Sequence, residues 1–217
     1  MDPLNAVLTG ISVNTQSSVR LTDGTRTVYV DPLEIPGEPR DADAVFVTHA
    51  HGDHFSPADI AKVAKKDTVL ILPETMADRA GEVPGIGSVL TVNPDEAHET
   101  AGISFETVPA YNHLPKLFHP KKNRWVGYVI ALNGIRVWIA GDTDATPEAE
   151  AVKCDIAMVP VGGKYTMTAK EAADLVNRIR PAAVVPTHYG SIVGRPEDGA
   201  LFLSLLDPSI RGELRLG

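Results

Sequence analysis

Hydrophobic and polar positions alternate, or apolar residues run together in short blocks, over residues 7–13, 19–21, 27–30, 45–48, 69–72, 89–92, 103–108, 126–132, 135–140, 156–161 and 184–187. Runs of this length, bounded by Gly, Pro, Asn and Asp, read as β-strands. Two of the gaps are turns. Thr-Asp-Gly-Thr spans Thr22 to Thr25, and Asn133-Gly134 separates two strand-like runs. The second is a strong hairpin signal, because both residues tolerate the positive φ of a type I′ turn. Local antiparallel pairing follows.

The remaining periodic segments have helical spacing. Ser56 as N-cap, Pro57 at the first position and Asp59 in the first turn open a helix expected to run to about Lys66. A second is expected from Glu74 to Ala80, stopped by Gly81. Thr168 and Glu171 form a capping box, and Ala172, Leu175, Val176 and Ile179 mark one apolar face that ends at Arg180 before Pro181. A last helix is expected from Pro196 to Leu206, closed by Asp207-Pro208. Helices inserted among strands of mixed pairing predict an α/β layered sandwich. The 217 residues suffice for one substantial core, so residues 1–217 are expected to form a single domain.

Composition narrows the partners. A net charge of −8 counts against nucleic acid or an anionic membrane surface, which both need basic patches, and favours a small-molecule substrate. A homo-oligomer is compatible with the chain. The single cysteine, Cys154, excludes an intrachain disulfide and reads as a small buried hydrophobe. The first residues lack the basic and apolar regions of a secretory signal, and no apolar run reaches the ~20 residues of a membrane span, so a cytoplasmic location is expected.

Chemistry is concentrated in one place. The chain has 7 histidines, and His49, His51 and His54 fall in the stretch Thr-His-Ala-His-Gly-Asp-His with Asp53 between them. Imidazoles and a carboxylate at this density desolvate badly unless a cation satisfies them, which points to metal. Four donors on one tight loop cannot all reach one tetrahedral ion, so two ions fit better. Three further strand-like runs end in potential ligands: Pro109-Ala-Tyr-Asn-His113, Ala140-Gly-Asp142-Thr and Pro186-Thr-His188-Tyr-Gly. A common site at one sheet rim accounts for all of them.

This pattern resembles the metallo-β-lactamase superfamily of metal-dependent hydrolases, whose signature His-x-His-x-Asp-His, then His, Asp and His is matched by His49, His51, Asp53, His54, a residue at 112 or 113, Asp142 and His188. The resemblance implies a four-layer αββα sandwich. Asp31-Pro32, Ala-Gly-Asp-Thr at 140–143 and Val-Pro-Val-Gly-Gly at 159–163 look most like the small single-domain branch related to ascorbate-phosphate lactonases. Carried over by position, His49 and His51 join a mid-chain ligand on one metal, Asp53, His54 and His188 hold the second, and Asp142 bridges. The branch's usual Ala-x-His would put the mid-chain histidine where Asn112 stands. His113, one position later, is the expected ligand, with His119 of the irregular segment 114–123 as the alternative; a weak ligand here would permit single-metal function.

The implied activity is hydrolysis of a small ester, lactone or cyclic ester by a metal-activated water, with Asp53 and Asp142 as catalytic residues. A phosphodiesterase or nuclease using the same site, or a non-catalytic metal-binding relative, are the competing readings. The nitrogen and oxygen ligands suit two divalent ions, zinc first, with Mn, Fe, Co and Ni also compatible. Asn112, His119, Lys164 and Tyr165 are expected to contact substrate. Lys164 and Tyr165 follow the flexible pair Gly162-Gly163, and Lys116, Lys121, Lys122 and Arg124 form a basic loop able to steer an anion.

Overall fold

A computed structural model describes residues 2–216. The helices are α1 (Pro3–Thr9), α2 (Pro57–Val63), α3 (Pro147–Ala151), α4 (Ala169–Ile179) and α5 (Asp198–Ser204). The strands are β1 (Ile11–Val13), β2 (Val19–Thr22), β3 (Thr27–Val30), β4 (Ala42–Phe46), β5 (Ala64–Pro73), β6 (Ser88–Val92), β7 (Ala97–Thr100), β8 (Ile103–Pro109), β9 (Val126–Leu132), β10 (Ile135–Ile139), β11 (Ile156–Pro160), β12 (Ala183–Thr187) and β13 (Arg211–Gly212).

They form two sheets, β1 to β6 in sequence order and β7 to β13 in sequence order. Each sheet starts antiparallel and turns parallel: β3–β4–β5–β6 run together in the first, β10–β11–β12–β13 in the second. The inner core lies between the sheets, where Val28, Phe46 and Ile71 of the first join Phe105, Tyr128, Ile139 and Val185 of the second. Phe46 meets both Phe105 and Tyr128 edge-on at 4.9 Å, the geometry aromatic rings prefer.

Each sheet buries its other face under helix. Val45, Leu70 and Leu72 pack with Ile60 and Val63 of α2 and Met76. Trp138, Ala157, Val159 and Val184 pack with Ala172, Leu175 and Val176 of α4 and Phe202 of α5. The result is the expected αββα order of layers. Strands buried on both faces explain why β11 and β12 read as continuous apolar runs and not as alternation.

Local chemistry fixes the elements as expected in several places. The α4 capping box is present, with the Thr168 side chain accepting from the Glu171 N–H, and Arg180 closes the helix in the left-handed region. Asn133 and Gly134 have φ of 49° and 77° and join β9 to β10 with Leu132 opposite Ile135. Elsewhere the fold differs. Residues 7–13 are not one strand: Val7 and Leu8 belong to α1, begun by Pro3, and only Ile11–Val13 is extended. The helix expected to reach Lys66 stops at Val63, because residues 64–73 are captured as a strand between β4 and β6. Glu74–Glu82 is a 3-10 helix, and the last helix is shorter than expected at both ends.

Candidate metal centre

The strand directions place four chain segments at one rim. The loop after β4 carries His49, His51, Asp53 and His54; Asp142 follows β10 by three residues, and His188 follows β12 directly. His119 comes from the long loop after β8. Side-chain donor atoms gather into three groups, each within 4.8 Å and each able to hold a metal ion: His49, His51 and His119; His49, His54 and Asp142; Asp53, His54 and His188.

Asp142 lies at the centre. Its Oδ2 is 3.2 Å from Nε2 of His119 and 3.2 Å from Nε2 of His188, while its Oδ1 is 3.3 Å from Nε2 of His54. Asp53 Oδ2 lies 3.5 Å from His188 and 3.6 Å from His54. Gly141, at φ +64°, permits this approach. A Cβ there would come within 3.2 Å of the Thr48 side chain, besides adopting a conformation that favours glycine. Gly162 is similarly required beside His188, since its Cβ would sit 2.2 Å from the His188 carbonyl oxygen.

Hydrogen bonds behind the rings decide which nitrogen each histidine presents. The Nδ1–H of His54 donates to Asp31 Oδ2 at 2.7 Å. Thr48 Oγ1 donates to the same oxygen at 2.6 Å and thereby keeps a lone pair for the Nδ1–H of His49, 2.9 Å away. Asn112 does the same for His119: its Oδ1 accepts from Nδ1–H at 2.8 Å and from the backbone N–H at 3.1 Å, and its own amide donates to the Tyr165 carbonyl. In its neutral form each of the three rings therefore turns the Nε2 lone pair inward. Such carboxylate and amide partners are how metal-ligating histidines are held in one tautomer.

Most of the inward atoms lack a hydrogen-bond partner; His49 Nε2 meets His51 Nδ1 at 3.1 Å. Nε2 of His54, His119 and His188 and Oδ1 of Asp142 are buried and unsatisfied, a costly state unless a ligand completes it. Burial opposes charge on all of these groups. Even so, the facing imidazoles of His188 and His54 hold the Asp142 carboxyl well below the usual range. Against the same burial, Asp142 pushes His188 up to about 9, and Asp142 with Asp31 raises His54 well above its ordinary value. His49 and His51 go down, by burial first and then by neighbouring imidazoles. Clustered carboxylates that draw protons onto buried imidazoles mark a site suited to positive charge, and the nitrogen and oxygen donors suit divalent transition ions.

The mid-chain position differs from the sequence expectation. His113 is exposed, with its backbone N–H on Asp144 and its Nε2 3.3 Å from the Ala145 carbonyl, away from the other donors. His119 stands with His49 and His51 in its place, under the ring of Trp125. Asn112 orients that histidine and does not line the cleft beside the donors. The cleft itself, of about 200 Å³, is bordered by His51, Asp53, His119, Asp142, His188 and the side chains of Phe118, Tyr165, Ile192 and Val193. Tyr165 thus lies where substrate contact was expected; Lys164 is exposed, its Nζ 4.8 Å from the Tyr165 ring centre. Of the basic loop, Lys116 is taken up by Asp144 and Lys121 by Glu148. Asp31, Thr48 and Trp125 were not among the expected site residues. A signal for Asp31 existed, an aspartate ending an apolar strand beside the strand that leads to His49.

Residues 11–188 match the family described as the beta-lactamase superfamily domain. The chain belongs to the metallo-β-lactamase superfamily. It is similar to a UPF0173 metal-dependent hydrolase of Thermococcus onnurineus, 32% identical over 81% of this chain and 84% of that one. A UPF0173 metal-dependent hydrolase of Thermus thermophilus is 32% identical over 86% of each. The crystal structure of a putative metal-dependent hydrolase from Parabacteroides distasonis superposes with a TM-score of 0.79 at 34% identity, covering 95% of this chain and 93% of that one. This superfamily member is accordingly a metal-dependent hydrolase. No helix among the described residues is long and apolar enough to cross a membrane.

Proposed function

We propose that this superfamily member hydrolyses a small ester, with a lactone or other cyclic ester as the first substrate class to test, using two divalent ions. His49, His51 and His119 would hold one, Asp53, His54 and His188 the other, and Asp142 would reach both. The observation that carries the reading is the set of buried, unsatisfied Nε2 and carboxylate atoms beside a small cleft. When bound, such ions act as Lewis acids that make water nucleophilic near neutral pH and polarise the bond to be cleaved.

The protein's own groups supply the rest. Asp53 is ionised, since His188 and His54 outweigh burial and lower its pKa, and it borders the cleft. It is placed to accept a proton from an incoming water and return it to the leaving oxygen. Tyr165 and Phe118 wall off one side of the cleft. Lys164 projects beside Tyr165 with no carboxylate partner within 4 Å among the described residues, a cation available to an anionic substituent. Purified protein reconstituted with zinc or manganese should hydrolyse members of a lactone panel faster than bis(p-nitrophenyl) phosphate. Turnover of the phosphodiester alone would replace the ester reading, and no metal uptake would end both.

A further inference from the structure

The donors occupy only the floor of the cleft; its walls have a different chemistry. Phe118 and Tyr165 form one side, with rings in edge contact at 4.5 Å, and Ile192 and Val193 come from the separate loop after His188. Phe118 is 49% exposed and Ile192 59%. Single exposed apolar side chains are ordinary, but these two border one polar cleft. The neighbouring cation, Lys164, rests over the Tyr165 ring, and no acidic side chain borders the cleft apart from Asp53 and Asp142 on its floor.

The dimensions select the occupant. A cleft of about 200 Å³ is below the range of roughly 300–1,000 Å³ usual for drug-sized ligands, so a reacting group alone fills it and any longer portion must lie along the walls. A protein partner would need a patch of roughly 800 Å², far more than these few side chains present.

Resting on the hydrolase reading above, we propose that the natural substrate is an ester bearing an apolar acyl or alkyl chain. Its carbonyl sits over the floor, and its chain lies along Phe118, Tyr165, Ile192 and Val193. Water adds to the carbonyl carbon, the bond from that carbon to the ester oxygen breaks, and the departing oxygen takes a proton. The products are an apolar acid and an alcohol, or one hydroxy acid from a lactone.

The test is a homologous series on the metal-loaded full chain: p-nitrophenyl acetate to octanoate, and γ-lactones with side chains from methyl to hexyl. Each methylene covered by the walls should raise kcat/KM about two- to fourfold. In Phe118→Ser and Ile192→Ser, both at exposed positions, the octanoate-to-acetate ratio should fall at least fivefold with an unchanged melting midpoint. Straight-chain carboxylates from acetate to octanoate, followed by thermal shift, give a readout free of turnover, and their affinity should climb in parallel. Ester hydrolysis with a flat chain-length profile would overturn the apolar-chain inference alone. Rising carboxylate affinity without hydrolysis of any ester would leave the apolar walls as a chain-binding surface but overturn the ester substrate; a flat carboxylate series would overturn the apolar-chain contact itself.

Discussion

The two sides of the proposed metal centre are built from the same motif loop but completed by different means. His188, the completing donor on one side, is the residue after β12, and its backbone N–H is tied to the Gln16 carbonyl at 2.9 Å. Its neighbour His54 leans on Asp31, a carboxylate buried against the N–H and hydroxyl of Thr48. On the other side His119 lies well beyond the end of β8, at Pro109, and depends on one side chain, Asn112, for its orientation. The sheet positions one side and a loop hydrogen bond the other. The loop-held side should therefore lose its ion first.

Asp142 faces the completing histidines of both proposed sides, so removing it should erase the difference. In Asp142→Ala, elemental analysis should find fewer than one ion per chain and turnover should fall by about 10³-fold or more, beyond the 10²–10³ typical of losing one electrostatic contact. Two retained ions with turnover within tenfold of the parent would show that the two sides do not share this carboxylate.

The next largest contrast lies between two histidines of one loop. His119→Ala should leave about one ion per chain and reduce turnover by at least the 10–100-fold that loss of even an outer-shell partner costs. His113→Ala should keep full metal content and turnover within about twofold. The opposite pattern would restore His113 as the ligand.

This contrast also marks the limit of what could be read from the chain. The convergence of His49, His51, Asp53, His54, Asp142 and His188 was legible because each lies within a few residues of a strand end, and strand periodicity predicts where those ends gather. His119 has no such anchor. Its loop lacks a period, and its path is fixed by the Asn112 N–H donating to the His119 carbonyl, the His119 N–H donating to the Asn112 side chain, and the cover of Trp125. The same logic explains the amino-terminal misreading. Leu4, Val7 and Leu8 have helical spacing and pack on the inner core, but β-branched residues follow at once and extend the apparent strand backwards.

Outer partners sharpen the comparison further. Asp31→Asn keeps the shape but removes the charge opposite His54 inside the core, so it should lower both metal affinity, by roughly 10-fold, and stability, by about 1–3 kcal/mol. Asn112→Ala should weaken only the ion on the His119 side, by roughly 10–100-fold, and shift the melting midpoint little. Competition with a chelator, followed for each ion, separates the two outcomes. Equal loss of both ions in Asn112→Ala would contradict an independent loop-held side.

The smallest effect concerns how the loop after β8 is pinned at its outer surface. Tyr111 donates to Glu148 at 2.7 Å and Lys121 at 2.6 Å, and these contacts, against partial burial, lower the Glu148 carboxyl from 4.5 to about 2. A carboxyl whose folded pKa is depressed contributes stability above its unfolded pKa, and that contribution is lost as pH falls from about 4.5 through about 2. The tie is partly exposed, so its worth is below about 1 kcal/mol. In metal-stripped protein the melting midpoint of Glu148→Gln should lie slightly under the parent's at pH 6, and the gap should close towards pH 3. A gap that widens in acid would mean that Glu148 does not hold this loop, and that the weaker side of the centre owes its shape to Asn112 and Trp125 alone.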